Sequence, residues 1–81
     1  MNVAVITRDN CIWCDKVKKL LGEYPEITTF EYNLVGSDPI LLDFVKASGF
    51  TTVPIVFHAG NLIGGYVETE RYIRGMLDDR F

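Results

Sequence analysis

The run Val3-Ala4-Val5-Ile6 is continuously apolar and predicts a strand buried on both faces. Polar residues Thr7-Arg8-Asp9-Asn10 follow as a loop, with Asp9 or Asn10 placed to cap a helix. The period then changes. Cys14, Val17 and Leu21 recur at helical spacing and predict a helix from about Cys11 to Leu21, stopping at Gly22. Lys16, Lys18 and Lys19 fall off that face and read as solvated surface. Pro25 marks a loop. Between Ile27 and Leu34 the residues Phe30, Tyr32 and Leu34 alternate with Glu31 and Asn33, which predicts a second strand. Ser37-Asp38-Pro39 starts a second helix, with Pro39 in its first turn and Ser37 or Asp38 as cap. That helix runs to Ala47 or Ser48 and ends at Gly49, and Leu41, Phe44 and Val45, with Ile40 or Leu42, read as core. Pro54 opens a third strand, Ile55-Val56-Phe57. Ala59-Gly60-Asn61 turns into a short fourth strand, Leu62-Ile63, closed by Gly64-Gly65. A third helix is expected from about Glu68 or Thr69 to Leu77, with Tyr72, Ile73, Met76 and Leu77 inward and Gly75 weakening it slightly.

The order is βαβαββα. A strand–helix–strand start implies a parallel pair joined by a right-handed crossover. The third and fourth strands form a hairpin. The expectation is an α/β fold: a mixed four-stranded sheet flanked by three helices, in one domain over residues 1–81. No internal repeat, linker or low-complexity stretch interrupts it.

Composition narrows the function classes. The hydrophobic fraction of 48% supports a packed core and argues against disorder. Eight Lys and Arg stand against 11 Asp and Glu, for a net charge of −3, so nucleic acid and anionic membrane are not expected partners. The start of the chain has no basic leader and too short an apolar run for a signal peptide. No apolar run approaches the ~20 residues of a membrane span.

Cys11-Ile12-Trp13-Cys14 contains both cysteines of the chain. Such a pair, at a strand-to-helix junction in a βαβ pattern, reads as a thiol–disulfide redox site. The other readings are a structural bridge, half of a zinc site and two inert core cysteines. Structural zinc takes four ligands, and the Cys and His available are Cys11, Cys14 and His58, so a closed site would need carboxylates or another chain. A bridge around so short a loop removes little unfolded-state entropy. A reducing cytosol, where an isolated CxxC is reactive more often than structural, fits this composition. At the head of a helix, Cys11 would face unpaired N–H groups and the positive end of the dipole, with Arg8 nearby. It is therefore expected to be largely ionised at neutral pH, and Cys14 more buried and protonated. His58 reads as a surface residue beyond the third strand.

Three landmarks now stand in order: Cys11-Ile12-Trp13-Cys14 after the first strand, Thr52-Val53-Pro54 opening the third, and Gly64-Gly65 ending the fourth. Together they resemble a glutaredoxin of the short bacterial or bacteriophage type, the minimal form of the thioredoxin fold, over nearly the whole chain. The resemblance implies a glutathione-dependent dithiol oxidoreductase that reduces protein disulfides and glutathione mixed disulfides. Cys11 matches the family's nucleophile and Cys14 its resolving cysteine. Arg8 sits where the family usually carries lysine, Val53-Pro54 matches its Val–cis-Pro, and Gly64-Gly65 matches the paired glycines beside glutathione. The implied glutathione-binding set is Arg8, Trp13, Thr52, Val53, Pro54, Gly64, Gly65 and Tyr66. Glutathione enters as co-substrate, with no tightly bound cofactor and no metal. The implied partners are glutathione and disulfide-containing proteins, with ribonucleotide reductase a candidate, met by a cytoplasmic monomer.

Two departures open alternatives. Ile12-Trp13 stands where glutaredoxins typically carry Pro-Tyr, and Phe50 where many carry Gln or Arg for the glycyl carboxylate of glutathione. Phe50 with Ile55-Val56 is similar to the redoxins that feed ribonucleotide reductase and are recharged by thioredoxin reductase. Loss of the proline at Ile12 is shared with some glutaredoxins that hold an iron–sulfur cluster in a glutathione-bridged dimer. In the glutathione-dependent reading, Gly64-Gly65 and the start of the third helix would hold the γ-glutamyl carboxylate through backbone N–H groups. Val67 stands where the family usually has an acidic residue, so Glu68 or Thr69 would have to reach the ammonium, and weaker glutathione turnover is expected.

Overall fold

The computed structural model describes residues 1–36, 38–49 and 51–78. Its elements follow the expected order: β1 (Asn2–Thr7), α1 (Ile12–Gly22), β2 (Thr28–Asn33), α2 (Pro39–Ser48), β3 (Ile55–His58), β4 (Asn61–Gly64) and α3 (Tyr66–Leu77). The sheet runs β2-β1-β3-β4, with β1 parallel to β2, β3 antiparallel to β1 and β4 antiparallel to β3. This is the mixed four-stranded, three-helix arrangement of a thioredoxin-like fold.

Alternation along β1 assigns two faces. Val3 and Val5 join Val56 of β3, Val17 and Leu21 of α1, and Ile73 of α3 in a cluster with no exposed member. Burying each such side chain is worth about 1.5–3 kcal/mol, so this face carries most of the packing energy. On α1 the expected stripe of Cys14, Val17 and Leu21 is buried, with Leu20 added. Thr7 is buried at the end of the same face, and its hydroxyl donates to Glu31 Oε2 of β2 at 2.7 Å. Lys18 Nζ of α1 donates to the same oxygen at 3.2 Å. The Thr7 hydrogen bond first, and Lys18 after it, hold the Glu31 carboxyl below the usual carboxylate range.

The second face is thinner. Register sets Phe30 opposite Ala4 and Tyr32 opposite Ile6, and places Ile55 and Phe57 on the same side of the sheet. α2 meets this face through Phe44, whose ring centroid lies 5.5 Å from that of Phe57. No residue of α2 is fully buried, and Phe30, Tyr32 and Phe44 remain 46%, 48% and 49% exposed. The apolar positions expected to be core are therefore only a partial cover. Leu41 and Val45 are half-buried, while Ile40, Leu42 and Phe44 are exposed. β2 is an edge strand, so one short helix does not span its face.

Helix ends account for the other differences. α1 is capped by Cys11, not by Asp9 or Asn10. Asn10 is in the left-handed region at φ 55, a conformation asparagine tolerates, and Asp9 instead accepts from Asn33 Nδ2 at 2.9 Å. α2 starts as expected, with Pro39 in its first turn, Asp38 Oδ1 accepting from Ile40 N at 2.8 Å, and Gly49 closing it at φ 78. Ser37, the other cap candidate, lies outside the described residues, as does Phe50. α3 begins at Tyr66, ahead of Glu68, because the Glu68 side chain bonds back to Gly65 N and draws the first turn forward. Its buried positions are Thr69 and Ile73, and Met76, expected inward, is 52% exposed. His58 is the last residue of β3 and not a free surface residue. It is half-buried, with Nδ1 2.7 Å from the Tyr72 hydroxyl. No helix among the described residues is long and apolar enough to cross a membrane.

Candidate active site

β1 ends in a fully buried threonine, and the chain must turn out of the sheet before α1 can pack back on it. That turn, residues 8–11, delivers Cys11 to the N-cap position of α1 in extended geometry. The Cys11 sulfur takes the place of the usual capping oxygen and accepts from Cys14 N at 3.2 Å. One turn on, Cys14 faces inward. The two sulfurs are joined as a disulfide, with Cα atoms 5.2 Å apart. Cys11 is 8% exposed and Cys14 1%, so Cys11 carries the outer of the two sulfurs. In the reduced protein the same cap geometry places negative charge on Cys11 beside helix N–H groups and the positive end of the dipole.

The approach to β3 forms the opposite wall. The Val53–Pro54 peptide is cis, as the resemblance implied. The Val53 carbonyl oxygen lies 3.9 Å from Cys11 Sγ, and the Val53 N–H has no backbone partner among the described residues. A cleft of about 730 Å³ opens in front of the disulfide, between Arg8, Trp13, Lys16, Val45, Thr52 and Val53 among others. A second cleft of about 330 Å³ adjoins it, reaching from Trp13, Thr52, Val53 and Pro54 to Gly65, Tyr66 and Glu68. Trp13, Thr52 and Val53 line both. The structure thus gathers most of the expected site residues around Cys11. Gly64 lines neither cleft. It sits behind the second one, buried at φ 128, where an added Cβ would come within 3.0 Å of Glu68 Oε1. Glycine there permits both the turn and the close approach of the glutamate.

The N-terminus of α3 forms the far end of the second cleft. Glu68 Oε1 accepts from Gly65 N at 3.0 Å, and Gly65 O accepts from Thr69 N at 3.0 Å. The N–H groups of Tyr66 and Val67, in the first turn, have no partner among the described residues. Tyr66 packs on Trp13, ring centroids 5.5 Å apart and tilted by 47°. Its hydroxyl donates to Glu70 Oε2 at 3.1 Å, and that hydrogen bond raises the phenol's pKa above the ordinary tyrosine value.

Two side chains join the site that sequence pattern did not assign to it. Lys16 lies on the outer face of α1, yet it walls the larger cleft and its Nζ stands 4.3 Å from the Trp13 ring centroid. The i, i+3 spacing from Trp13 was the available signal. Val45, expected as core, faces the same cleft. His58 lines neither cleft, and no group of three or more His, Cys, Asp or Glu is assembled for a metal among the described residues.

Residues 3–63 match the glutaredoxin family. The chain is 35% identical over 71 residues to the hybrid peroxiredoxin hyPrx5 of Haemophilus influenzae, a match covering 88% of this chain and 29% of that protein. This chain therefore spans less than a third of that relative's length. It is 34% identical over 64 residues to the glutaredoxin-like protein NrdH of Salmonella typhimurium, covering 76% of this chain and 73% of the relative. Its fold superposes on the crystal structure of glutaredoxin 1 from Francisella tularensis complexed with cacodylate, with a TM-score of 0.74 and 25% identity over 95% of this chain and 96% of that one. With a redox disulfide at the head of α1, and relatives on both the glutaredoxin and the NrdH side, the chain belongs to the glutaredoxin family as a thiol–disulfide oxidoreductase built on Cys11 and Cys14.

Proposed function

We propose that this protein reduces protein disulfides and glutathione mixed disulfides and is recharged by glutathione. The observation that carries the reading is the α3 N-terminus. There, the N–H groups of Tyr66 and Val67, without a partner among the described residues, stand in the same first turn as the Glu68 carboxylate. An α-amino acid head has a carboxylate for the first and an ammonium for the second, and the γ-glutamyl end of glutathione is such a head. Arg8 lines the larger cleft and in this reading meets the glycyl carboxylate. In the same reading the Val53 backbone, whose N–H has no backbone partner among the described residues, pairs with the cysteinyl residue between them as a short added strand. Trp13 and Tyr66 supply the apolar floor.

In the reduced protein the Cys11 thiolate attacks one sulfur of the substrate disulfide. A mixed disulfide on Cys11 forms, and the other substrate sulfur leaves as a thiolate that takes up a proton. The Cys14 thiol loses its proton and attacks the Cys11 sulfur, expelling the second substrate thiolate and closing the Cys11–Cys14 disulfide. Two electrons pass from the dithiol to the substrate. Two molecules of glutathione then return the protein to the dithiol, leaving glutathione disulfide. This cycle belongs in a reducing compartment such as the cytosol, and a monomer suffices for it. Ribonucleotide reductase is one class of protein substrate that such a donor serves.

The test couples the oxidised protein to NADPH oxidation. Glutathione with glutathione reductase is expected to recharge it. Recharging by thioredoxin reductase alone, with no turnover on glutathione, would overturn the glutathione assignment and leave a thioredoxin-like redoxin.

A further inference from the structure

The larger cleft carries a charge opposite to that of the molecule. The chain has a net charge of −3. Among the described residues the charged side chains lining the cleft are Arg8 and Lys16, both cations, and no carboxylate joins them. Neither forms an ion pair among the described residues, where the ion pairs engage Lys18 and Arg74. Lys16 is also not a loose surface cation. Its ammonium stands 4.3 Å from the centroid of Trp13, an aromatic 52% exposed at the mouth of the site and braced by Tyr66. A cation over an aromatic face is held by the ring quadrupole. The positive charge is thus positioned beside the disulfide while its other directions stay open to a ligand.

From this charge complementarity we infer that the cleft is the docking surface for an acidic protein segment, in which carboxylates flank the cysteine that Cys11 attacks. The segment lies extended against Val53. Its carboxylates meet Lys16 and Arg8, and an apolar side chain rests on Trp13. Lys16 is a specificity-determining residue in this arrangement. The inference rests on the proposed reduction of protein disulfides and names the class of protein that would be reduced. The covalent step is the exchange already described, with the dithiol as reductant.

The experiment uses the reduced full chain and three substrates at low and high ionic strength. Two are peptides with one internal disulfide, identical except that glutamates or lysines flank the cysteines. The third is the uncharged bis(2-hydroxyethyl) disulfide. One exposed ion pair is worth up to about fivefold, and rim charges act mainly on association. The glutamate peptide is therefore expected to have a kcat/KM about tenfold above that of the lysine peptide at low salt, with the ratio falling towards one as salt rises. K16E should abolish or reverse the preference. Equal kcat/KM for the two peptides, or a preference that K16E leaves intact, overturns the inference while reduction of the uncharged disulfide leaves the oxidoreductase reading standing. Failure to reduce the uncharged disulfide and both peptides overturns that reading and the inference with it.

Discussion

Cys11 owes its chemistry to where a helix begins. As the N-cap of α1 it has the Cys14 N–H directed at its sulfur, and Cys14, one turn inside, is sealed from solvent. Which cysteine stands at the helix end and which lies one turn inside was legible from the sequence, because a CxxC at a strand-to-helix junction fixes that order. The identity of the cap was not legible. Asp9 and Asn10 are the better capping residues by type, but the chain needs a left-handed turn at Asn10 to leave β1, and that carries the cap one residue on. Lys16 escaped for a similar reason. Periodicity assigns it to the outer face of α1, and near the start of that helix the outer face is the wall of the cleft. Glu68 is the residue where the account is most exposed to test. Glu68→Gln preserves an oxygen acceptor for Gly65 N but removes the charge offered to an ammonium. A charge-assisted hydrogen bond is worth about 1.5–3 kcal/mol. The KM for a glutathione mixed disulfide is expected to rise about tenfold with helical content unchanged by circular dichroism. An unmoved KM would remove Glu68 from the site.

Among the elements, α1 and α2 differ in how well the sequence described them. α1 shows a stripe of small and branched apolar residues at helical spacing, and all of them are buried against β1 and α3. α2 shows as many apolar residues, yet none is fully buried. Pattern reports which side chains share a face; it does not report how much of that face the neighbouring elements cover. The sheet face beneath α2 ends at an edge strand, and Phe30 and Tyr32 on it stay half-exposed. An element with little buried apolar area opens at low free energy. In native-state hydrogen exchange the amides of α2 are expected to exchange faster than those of α1 and β1, well before global unfolding. Protection in α2 equal to that of α1 would contradict this. The start of α3 makes the opposite point. Gly64-Gly65 was visible as a landmark, but the earlier start at Tyr66 depends on one side chain folding back, which spacing alone does not reveal.

At the scale of the whole molecule, the fold brings three separated stretches to one end of the sheet. β1 carries in Cys11, the approach to β3 carries in Val53-Pro54, and the exit from β4 carries in the head of α3. That convergence was legible through the family resemblance, which rests on those same three stretches. The clefts between the stretches were not, since their shape depends on how Trp13, Tyr66 and Lys16 lean on one another. In the proposed function the whole arrangement serves one event, attack by Cys11 followed by resolution by Cys14. The most direct measurement is to treat reduced Cys14→Ser protein with glutathione disulfide and map the product by mass spectrometry. A single glutathione adduct on Cys11, discharged by added glutathione, is the predicted result. No adduct on Cys11 in that variant, together with an adduct on Cys14 in the Cys11→Ser protein, would contradict it.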